Sequence, residues 1–315
     1  KQTKENGEKK GRRQMIHGVI NVYKEKGFTS HDVVAKLRGI LGQKKIGHTG
    51  TLDPDATGVL PVCLGKGTKL CDLLTDKDKT YRAVMLLGTV TDTQDSSGEV
   101  LEKKDTASLT VEEVTACIQK FVGNYEQVPP MYSALKVGGK KLYELAREGK
   151  TVERKARPVQ IHSIEIMEID LPRVTMEVSC SKGTYIRTLC HDIGEKLGCG
   201  ACMESLLRTK VSRFELEDSL TLGEIEKKKQ DGTLMEAIIP IDAMFPECRS
   251  VDVKEAGNQY LYNGNPFSLS FVKKREKYEP EERVRVYDAQ GVFVGIYRYR
   301  QEEKMFRLEK MFYEK

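Results

Sequence analysis

The hydrophobic positions near the start of the chain predict a strand, a helix and a shaped loop. Residues 18–24 form an apolar run, GVINVYK, that is typical of a buried strand. Residues 30–41 carry apolar side chains at helical spacing, which predicts a helix that Ser30 caps at its start and Gly42 closes. Three glycines and one proline in residues 47–58, GHTGTLDPDATG, predict a loop with tight backbone bends.

Helices and strands follow one another irregularly along the middle of the chain. The sequence Thr110-Val-Glu-Glu113 is a capping box that opens a helix with inward-facing apolar residues. Residues 127–141 are rich in proline and glycine and predict an ordered loop. The other predicted elements are helices at residues 68–77 and 184–197 and strands at residues 79–91, 157–170 and 174–181.

The pattern changes after about residue 245. Short strand-like runs separated by turns follow one another there and predict a small all-β module. The runs are FSLSFV, RVRVYD, VFVGIYRY and MFRLEKMF. A length of 315 residues also favours two folded units. We therefore predict an α+β protein that ends in a small all-β domain.

Charge alone does not predict the partner of this protein. The net charge is +5, but residues 1–14 contribute +4 of it, which leaves the rest of the chain near +1. Any affinity for RNA must therefore come from local clusters of basic residues. Residues 1–14 are polar and contain no apolar stretch, so we expect a disordered extension or tag before Met15 rather than a secretory signal. No window approaches the 18 apolar residues of a membrane span.

The eight cysteines are scattered along the chain and follow no export signal. They predict reduced thiols and a cytoplasmic protein. Cys199 and Cys202 form a CxxC pair that could hold a metal or act in redox chemistry. No second pair or histidine motif accompanies it, so a turn after a helix is the favoured interpretation.

Asp53 is the most conspicuous polar residue of the loop at residues 47–58. Pro54 favours an extended backbone at Asp53, and Gly50 and Gly58 permit bends on either side. The carboxylate is thus placed either to face a substrate or merely to cap a turn, and local sequence leaves both possible. A magnesium site built from Asp53 and Asp55 is disfavoured, because no further acid or histidine is near in sequence.

The run GHTGTLDPDATGVLPVCLGKGTK resembles the signature of the TruB family of pseudouridine synthases, which modify uridine 55 in the T arm of tRNA. The resemblance covers about residues 16–245 and continues in three further motifs in the order of the family. These are DKTYR, QVPPMYSALKVGGKKLYELAREG and SKGTYIRTLCHDIGEKLGCGA. It implies a catalytic core over residues 15–245, with a mixed, largely antiparallel β-sheet flanked by helices. Residues 246–315 resemble a PUA-like RNA-binding domain.

The resemblance implies roles for individual residues. Asp53 would be the catalytic nucleophile, Tyr81 would pack against the target base, and Arg187 would pair with Asp53. A carboxylate nucleophile can hold a covalent intermediate while the base turns, so no cofactor or metal is needed. The same resemblance predicts four RNA-binding residues around this site: His48, Lys24, Tyr185 and Leu207. His48 would fill the space that the extruded base leaves.

Basic residues cluster at residues 136–157, with eight basic side chains against three acidic ones. Such clusters are usually only solvated surface. Here Tyr132 and Tyr143 are interleaved with the charges, so we favour RNA phosphate contacts, with Lys136, Lys140 and Lys141 among them.

Two other functions remain open from the sequence. One is a guide-RNA-dependent pseudouridine synthase, and the other is a tRNA-binding or folding chaperone whose catalysis is secondary. We expect a monomer that needs no obligate protein partner.

Overall fold

The computed structural model describes residues 15–314, so the prediction for residues 1–14 lies outside the described residues. The helices are α1 Ser30–Leu41, α2 Cys71–Thr75, α3 Val111–Gln119, α4 Leu142–Arg147, α5 Ile186–Leu197, α6 Leu222–Gln230 and α7 Asn258–Tyr262. None of these helices is long and apolar enough to cross a lipid bilayer.

The first thirteen strands lie before residue 216. They are β1 Gly18–Lys24, β2 Ile46–His48, β3 Thr57–Leu64, β4 Lys79–Leu87, β5 Thr89–Thr91, β6 Val100–Lys103, β7 Gly123–Gln127, β8 Lys136–Val137, β9 Lys140–Lys141, β10 Arg157–Asp170, β11 Arg173–Cys180, β12 Ala201–Val211 and β13 Phe214–Glu215. Five more form the C-terminal module: β14 Arg249–Asp252, β15 Phe267–Ser268, β16 Arg283–Tyr287, β17 Phe293–Arg300 and β18 Met305–Met311.

A nine-stranded sheet organises the larger part of the molecule. Its central order is β1-β3-β12-β4-β11-β10-β7, with β2 beside β3 and β13 beside β12. The pairs are antiparallel except β3 with β12, which run parallel over two residue pairs. This arrangement confirms the predicted mixed, largely antiparallel sheet flanked by helices.

The burial pattern of each strand explains where the helices pack. Strand β3 is a continuous apolar run and is buried on both faces. One face packs against α1 and α6, and the other faces α2 and the C-terminal module. In strand β4, buried and half-buried side chains alternate instead. Only the inward-facing side chains join the core that the sheet forms with α3 and α5.

The start of α1 differs from the prediction by one residue. Thr29, not Ser30, is the N-cap: its hydroxyl accepts a hydrogen bond from the backbone N–H of Asp32, and the Asp32 carboxylate accepts one from that of Thr29. Ser30 is thereby free for a tertiary contact, and its hydroxyl accepts a hydrogen bond of 2.9 Å from the backbone N–H of Leu52. The predicted closure of the helix at Gly42 is confirmed.

Two further element predictions need correction. The strand predicted at residues 79–91 is divided at Gly88, whose φ of +78° turns β5 into a separate ribbon with β6. The helix predicted at residues 68–77 is a 3₁₀ turn followed by the five-residue α2. So short a helix has no complete apolar face, and Leu73 is 37% exposed.

The C-terminal module is a five-stranded sheet in the order β14-β16-β17-β18-β15. The core of this module is rich in aromatic residues. Its Ile296 and Phe312 belong to a second core, which also contains Val59 and Leu70 of the larger part of the molecule. The predicted all-β texture is confirmed, although FSLSFV forms only a two-residue strand before a 3₁₀ turn.

Gly58 lies where β3 and β12 approach most closely. Its φ is +105°, and a Cβ atom there would overlap the backbone of Arg208, its partner in the parallel pairing. Only glycine satisfies both requirements, so Gly58 fixes the register between β12 and the start of β3, where the loop at residues 47–58 ends.

We expect Gly58→Ala to destabilise the protein by about 2–4 kcal/mol, because both the backbone angle and the inter-strand contact oppose a side chain. Gly39→Ala is the matched control, since Gly39 lies in α1 with no atom within 4 Å of an added Cβ. Urea unfolding should show the control unchanged or stabilised by about 0.5–1 kcal/mol. Equal stability of the two variants would contradict this account.

Candidate active site

The loop between β2 and β3 presents Asp53 at the surface. The Asp53 side chain is 50% exposed, while its neighbours Leu52 and Ala56 are buried in the core cluster that also contains Tyr81. Within residues 15–314, no hydrogen bond uses the Asp53 carboxylate to cap the turn; instead the backbone carbonyl of Asp53 accepts one from the N–H of Ala56. The carboxylate is therefore available to a ligand.

Lys24 supports this loop from beneath. Its side chain is buried, and its ammonium donates to the carbonyls of Glu25 at 3.1 Å, Phe28 at 2.5 Å and Pro54 at 3.1 Å. Burial lowers the pKa of Lys24, and the nearby Asp53 charge opposes that effect. The structure thus gives Lys24 three backbone acceptors and no exposed surface, so it holds the loop rather than facing a ligand.

Arg187 lies opposite Asp53 in the first turn of α5. Its side chain is only 9% exposed, and its Nη1 atom is 3.4 Å from Asp53 Oδ2. The same Nη1 donates to Asp95 Oδ2 at 3.1 Å, and Nη2 donates to the carbonyl of Tyr132 at 2.6 Å. The structure therefore brings Asp53 and Arg187 together, as the resemblance implies, and adds a second carboxylate.

Sequence reasoning missed Asp95. The polar run DTQDSSG predicted only a break after a strand. In the structure, Asp95 lies in the turn between β5 and β6, and hydrogen bonds hold its side chain in place. Its Oδ1 accepts hydrogen bonds from Thr93 and Ser97, which leaves Oδ2 for Arg187. Burial raises the pKa of Asp95, but these hydrogen bonds and the Arg187 charge outweigh it, so the net pKa lies below the ordinary value.

Tyr81 forms a buried wall beside the loop. On β4 it is paired with Arg208 of β12, whose buried guanidinium charge acts on its phenol. Burial raises the pKa of Tyr81, while the Arg208 charge opposes the rise, so the phenol keeps its proton at neutral pH. Leu207, half-buried next to Arg208, is paired with Thr57 at the end of the loop.

Arg208 is the second residue that the sequence did not reveal. It is 1% exposed, and its Nε donates to the carbonyl of Val59 at 2.7 Å and its Nη2 to that of Gly50 at 3.5 Å. A buried guanidinium is costly unless its N–H groups are satisfied. Arg208 therefore holds the loop at residues 47–58 near both of its ends, beside Tyr81.

His48 stands at the start of the loop. Its Nδ1 accepts a hydrogen bond of 3.3 Å from the backbone N–H of Gly50, and its ring meets His31 edge-on at 5.2 Å between centroids. Burial lowers the pKa of His48, and His31 lowers it further. The ring is therefore uncharged at neutral pH, which suits a side chain that replaces a stacked base.

The remaining predicted residues lie on two elements. Tyr185 is half-buried at the N-cap of α5, two residues before Arg187. Lys136, Lys140 and Lys141 lie on the β8–β9 hairpin that Gly138 and Gly139 turn. Lys140 and Lys150 both pair with Glu148, so part of this basic surface is neutralised within the protein. No cluster of three or more His, Cys, Asp or Glu in the described chain is arranged to hold a metal.

Comparisons with known proteins identify the family of the chain. The model of the TruB family pseudouridylate synthase (N terminal domain) matches residues 38–186, and that of the tRNA pseudouridylate synthase B C-terminal domain matches residues 187–246. The tRNA pseudouridine synthase B of Lachnoclostridium phytofermentans is 53% identical over 94% of this chain and 100% of that protein. Its counterpart in Bacillus pumilus is 43% identical over 90% of this chain and 93% of that protein.

Solved structures support the same fold. A chain of an H/ACA RNP bound to a substrate RNA containing 2'-deoxyuridine has a TM-score of 0.69 at 26% identity, over 95% of this chain and 86% of that chain. A Cbf5-Nop10-Gar1 complex gives 0.69 at 29% identity, over 94% of this chain and 85% of that chain. The fold and site therefore define a pseudouridine synthase. Within that class, the chain belongs to the TruB family.

We expect His48 to titrate below the ordinary histidine value of 6.5. His31→Gln should raise its midpoint but leave it below 6.5, because burial is the larger of the two causes. NMR titration can resolve this, since the chain has five histidines. His162→Gln is the control, because His162 pairs with Asp78 and not with His48. An unchanged His48 midpoint in the His31→Gln variant would contradict the explanation that His31 lowers the pKa of His48.

Proposed function

We propose that this protein isomerises uridine 55 in the T arm of tRNA to pseudouridine, with Asp53 as the nucleophile. The observation that carries the proposal is the half-exposed Asp53 carboxylate, 3.4 Å from a guanidinium that is almost fully buried. Family membership and relatives named tRNA pseudouridine synthase B support the choice of substrate. Relatives at 43–53% identity carry that name, whereas the H/ACA and Cbf5 structures are 26–29% identical, which favours action without a guide RNA.

The reaction begins when the target uridine leaves its stack. Extrusion costs a few kcal/mol, and a neutral ring that enters the vacancy offsets part of that cost. His48 stands at the edge of the loop with the right charge state. The extruded base then lies against Tyr81, which supplies an aromatic surface beside the carboxylate, whereas Leu207 is paired with Arg82 and faces the other side of the sheet.

Asp53 then attacks the nucleoside as a carboxylate. The bond between N1 and the sugar breaks, the base turns, and a bond from C5 to the sugar forms. The bond between Asp53 and the nucleoside then breaks, which regenerates the carboxylate. C5 loses its hydrogen to solvent and N1 gains a proton, so atoms and charge balance without an oxidant or a cofactor. The Arg187 charge favours the ionised form of Asp53 before attack.

Asp95 limits how tightly Arg187 can hold the nucleophile. The guanidinium is closer to Asp95, at 3.1 Å, than to Asp53, at 3.4 Å. Asp95 thus fixes Arg187 while Asp53 keeps its oxygens free for the substrate. The Asp53 carboxylate is thus positioned beside Arg187 without being held in a tight ion pair.

The RNA-binding surface extends from this site onto the β8–β9 hairpin and the residues that follow. Exposed Lys136 and Lys140 meet the backbone of the T arm, and the C-terminal module holds the acceptor side of the tRNA. The protein acts as a cytoplasmic monomer, without an obligate protein partner.

Tritium at uridine C5 of a T-arm transcript measures the reaction directly, because isomerisation releases that atom. Wild type should release it, and Asp53→Asn should fall to background while tRNA affinity stays within roughly threefold. Asp55→Asn is the matched control on the same loop, where Asp55 makes only a 4.0 Å pair with Lys26. Comparable turnover by the Asp53 variant and wild type would exclude this mechanism.

The affinity for tRNA should fall steeply with salt, because phosphate contacts release counterions. Lys136→Ala and Lys141→Ala should each lower the slope of log affinity against log salt by about 1. Lys227→Ala, an exposed lysine of α6 outside residues 136–157, is the control and should leave the slope unchanged. Salt-independent binding, or equal slopes for all three variants, would remove the basic hairpin from the interface.

A further inference from the structure

Gln127 is a buried amide that the chemistry described so far does not use. It is the last residue of β7 and is only 1% exposed. Its Nε2 donates to the carbonyl of Tyr185 at 3.0 Å, and its Oε1 accepts from the backbone N–H of Tyr185 at 2.8 Å. The Gln127 amide therefore hydrogen-bonds both the N–H and the carbonyl of Tyr185, as the backbone of a neighbouring strand would.

The position of Tyr185 at the start of α5 makes these two hydrogen bonds important. It is the N-cap of α5, and its own side chain makes no capping hydrogen bond. The Tyr185 carbonyl also accepts the helical hydrogen bond from Leu189 at 3.1 Å. Because Arg187 follows two residues later in the first turn, the Gln127 amide fixes where α5 begins and hence where the guanidinium points.

A second contact links the same stretch of chain to Arg187. The carbonyl of Tyr132 accepts a hydrogen bond from Arg187 Nη2 at 2.6 Å. Between the two contacts lie Pro129 and Pro130, both buried, which restrict the backbone. Arg154 also donates to the Pro129 carbonyl at 3.1 Å. Residues 127–133 are thus anchored at one end by Gln127 and hold the guanidinium at the other.

We propose that Gln127 is a positioning residue for the reaction, which sets the Arg187 guanidinium against Asp53 through the backbone of Tyr185. The inference rests on the proposed function and deepens it. Gln127 contacts neither the nucleophile nor an exposed surface, so it acts on turnover and not on the grip on RNA. A displacement of about 1 Å in a catalytic group can reduce the rate about 100-fold.

Gln127→Met tests this, because it keeps the length of the side chain and removes both hydrogen bonds. We expect kcat for tritium release to fall by about 10- to 100-fold with KM within about threefold. Gln160→Met, at an exposed glutamine on β10, is the matched control and should behave as wild type. A raised KM with unchanged kcat, or wild-type kinetics, would overturn the proposal.

A double-mutant cycle separates positioning from general support of the fold. In the background of Arg187→Lys, the Gln127→Met change should cost little further turnover, because the group that Gln127 positions is already altered. Two losses that multiply would show that Gln127 acts by another route, and the proposal would fail.

Gln127→Glu gives a further readout that holds even if the Met variant does not fold. A protonated carboxyl can donate to the Tyr185 carbonyl as the amide does, whereas the ionised form cannot. Turnover of Q127E relative to wild type at each pH should therefore rise as the pH falls. A ratio that is independent of pH would contradict the proposal. Absence of tritium release by wild type would instead reject the proposed function itself.

Discussion

The ion pair between Asp53 and Arg187 is the interaction on which the arrangement of the site depends. Arg187 carries its charge inside the protein and at the N-terminus of α5, where the helix dipole is already positive. Both circumstances are unfavourable unless oxygen atoms surround the guanidinium. Asp53, Asp95 and the Tyr132 carbonyl provide them from three distant segments. These segments are consequently fixed relative to one another by a single side chain.

Two more buried cations explain how an exposed loop can be rigid. Lys24 and Arg208 are almost fully buried, and they donate hydrogen bonds to backbone carbonyls. Among those acceptors are Gly50, Pro54 and Val59, which lie within or directly after the loop at residues 47–58. Moving the loop would leave the cations unsatisfied, at a cost of several kcal/mol per ion. The loop is therefore held from the inside, while Asp53 faces outward.

Local sequence patterns predicted the elements that local interactions determine. The strand at Gly18–Lys24 and the paired strands β10 and β11 follow the predicted limits closely, and Gly42 closes its helix as expected. The errors arise where a tertiary contact competes with a local interaction. Ser30 is a good capping residue, but Leu52 engages it, and Thr29 caps the helix instead. Gly88 divides a run whose hydrophobic pattern is continuous.

Periodicity and motifs within short windows determined the α+β architecture and the resemblance to the family, and that resemblance implied the pairing of Asp53 with Arg187. Only the tertiary structure revealed Asp95 and Arg208 and the interior place of Lys24. Asp95 meets Arg187 across 92 residues, and Arg208 meets Val59 across 149. No local pattern encodes such contacts, because they exist only after the sheet has brought β3, β4 and β12 side by side. The sequence thus indicates the candidate reacting groups, and only the fold shows which residues hold them in place.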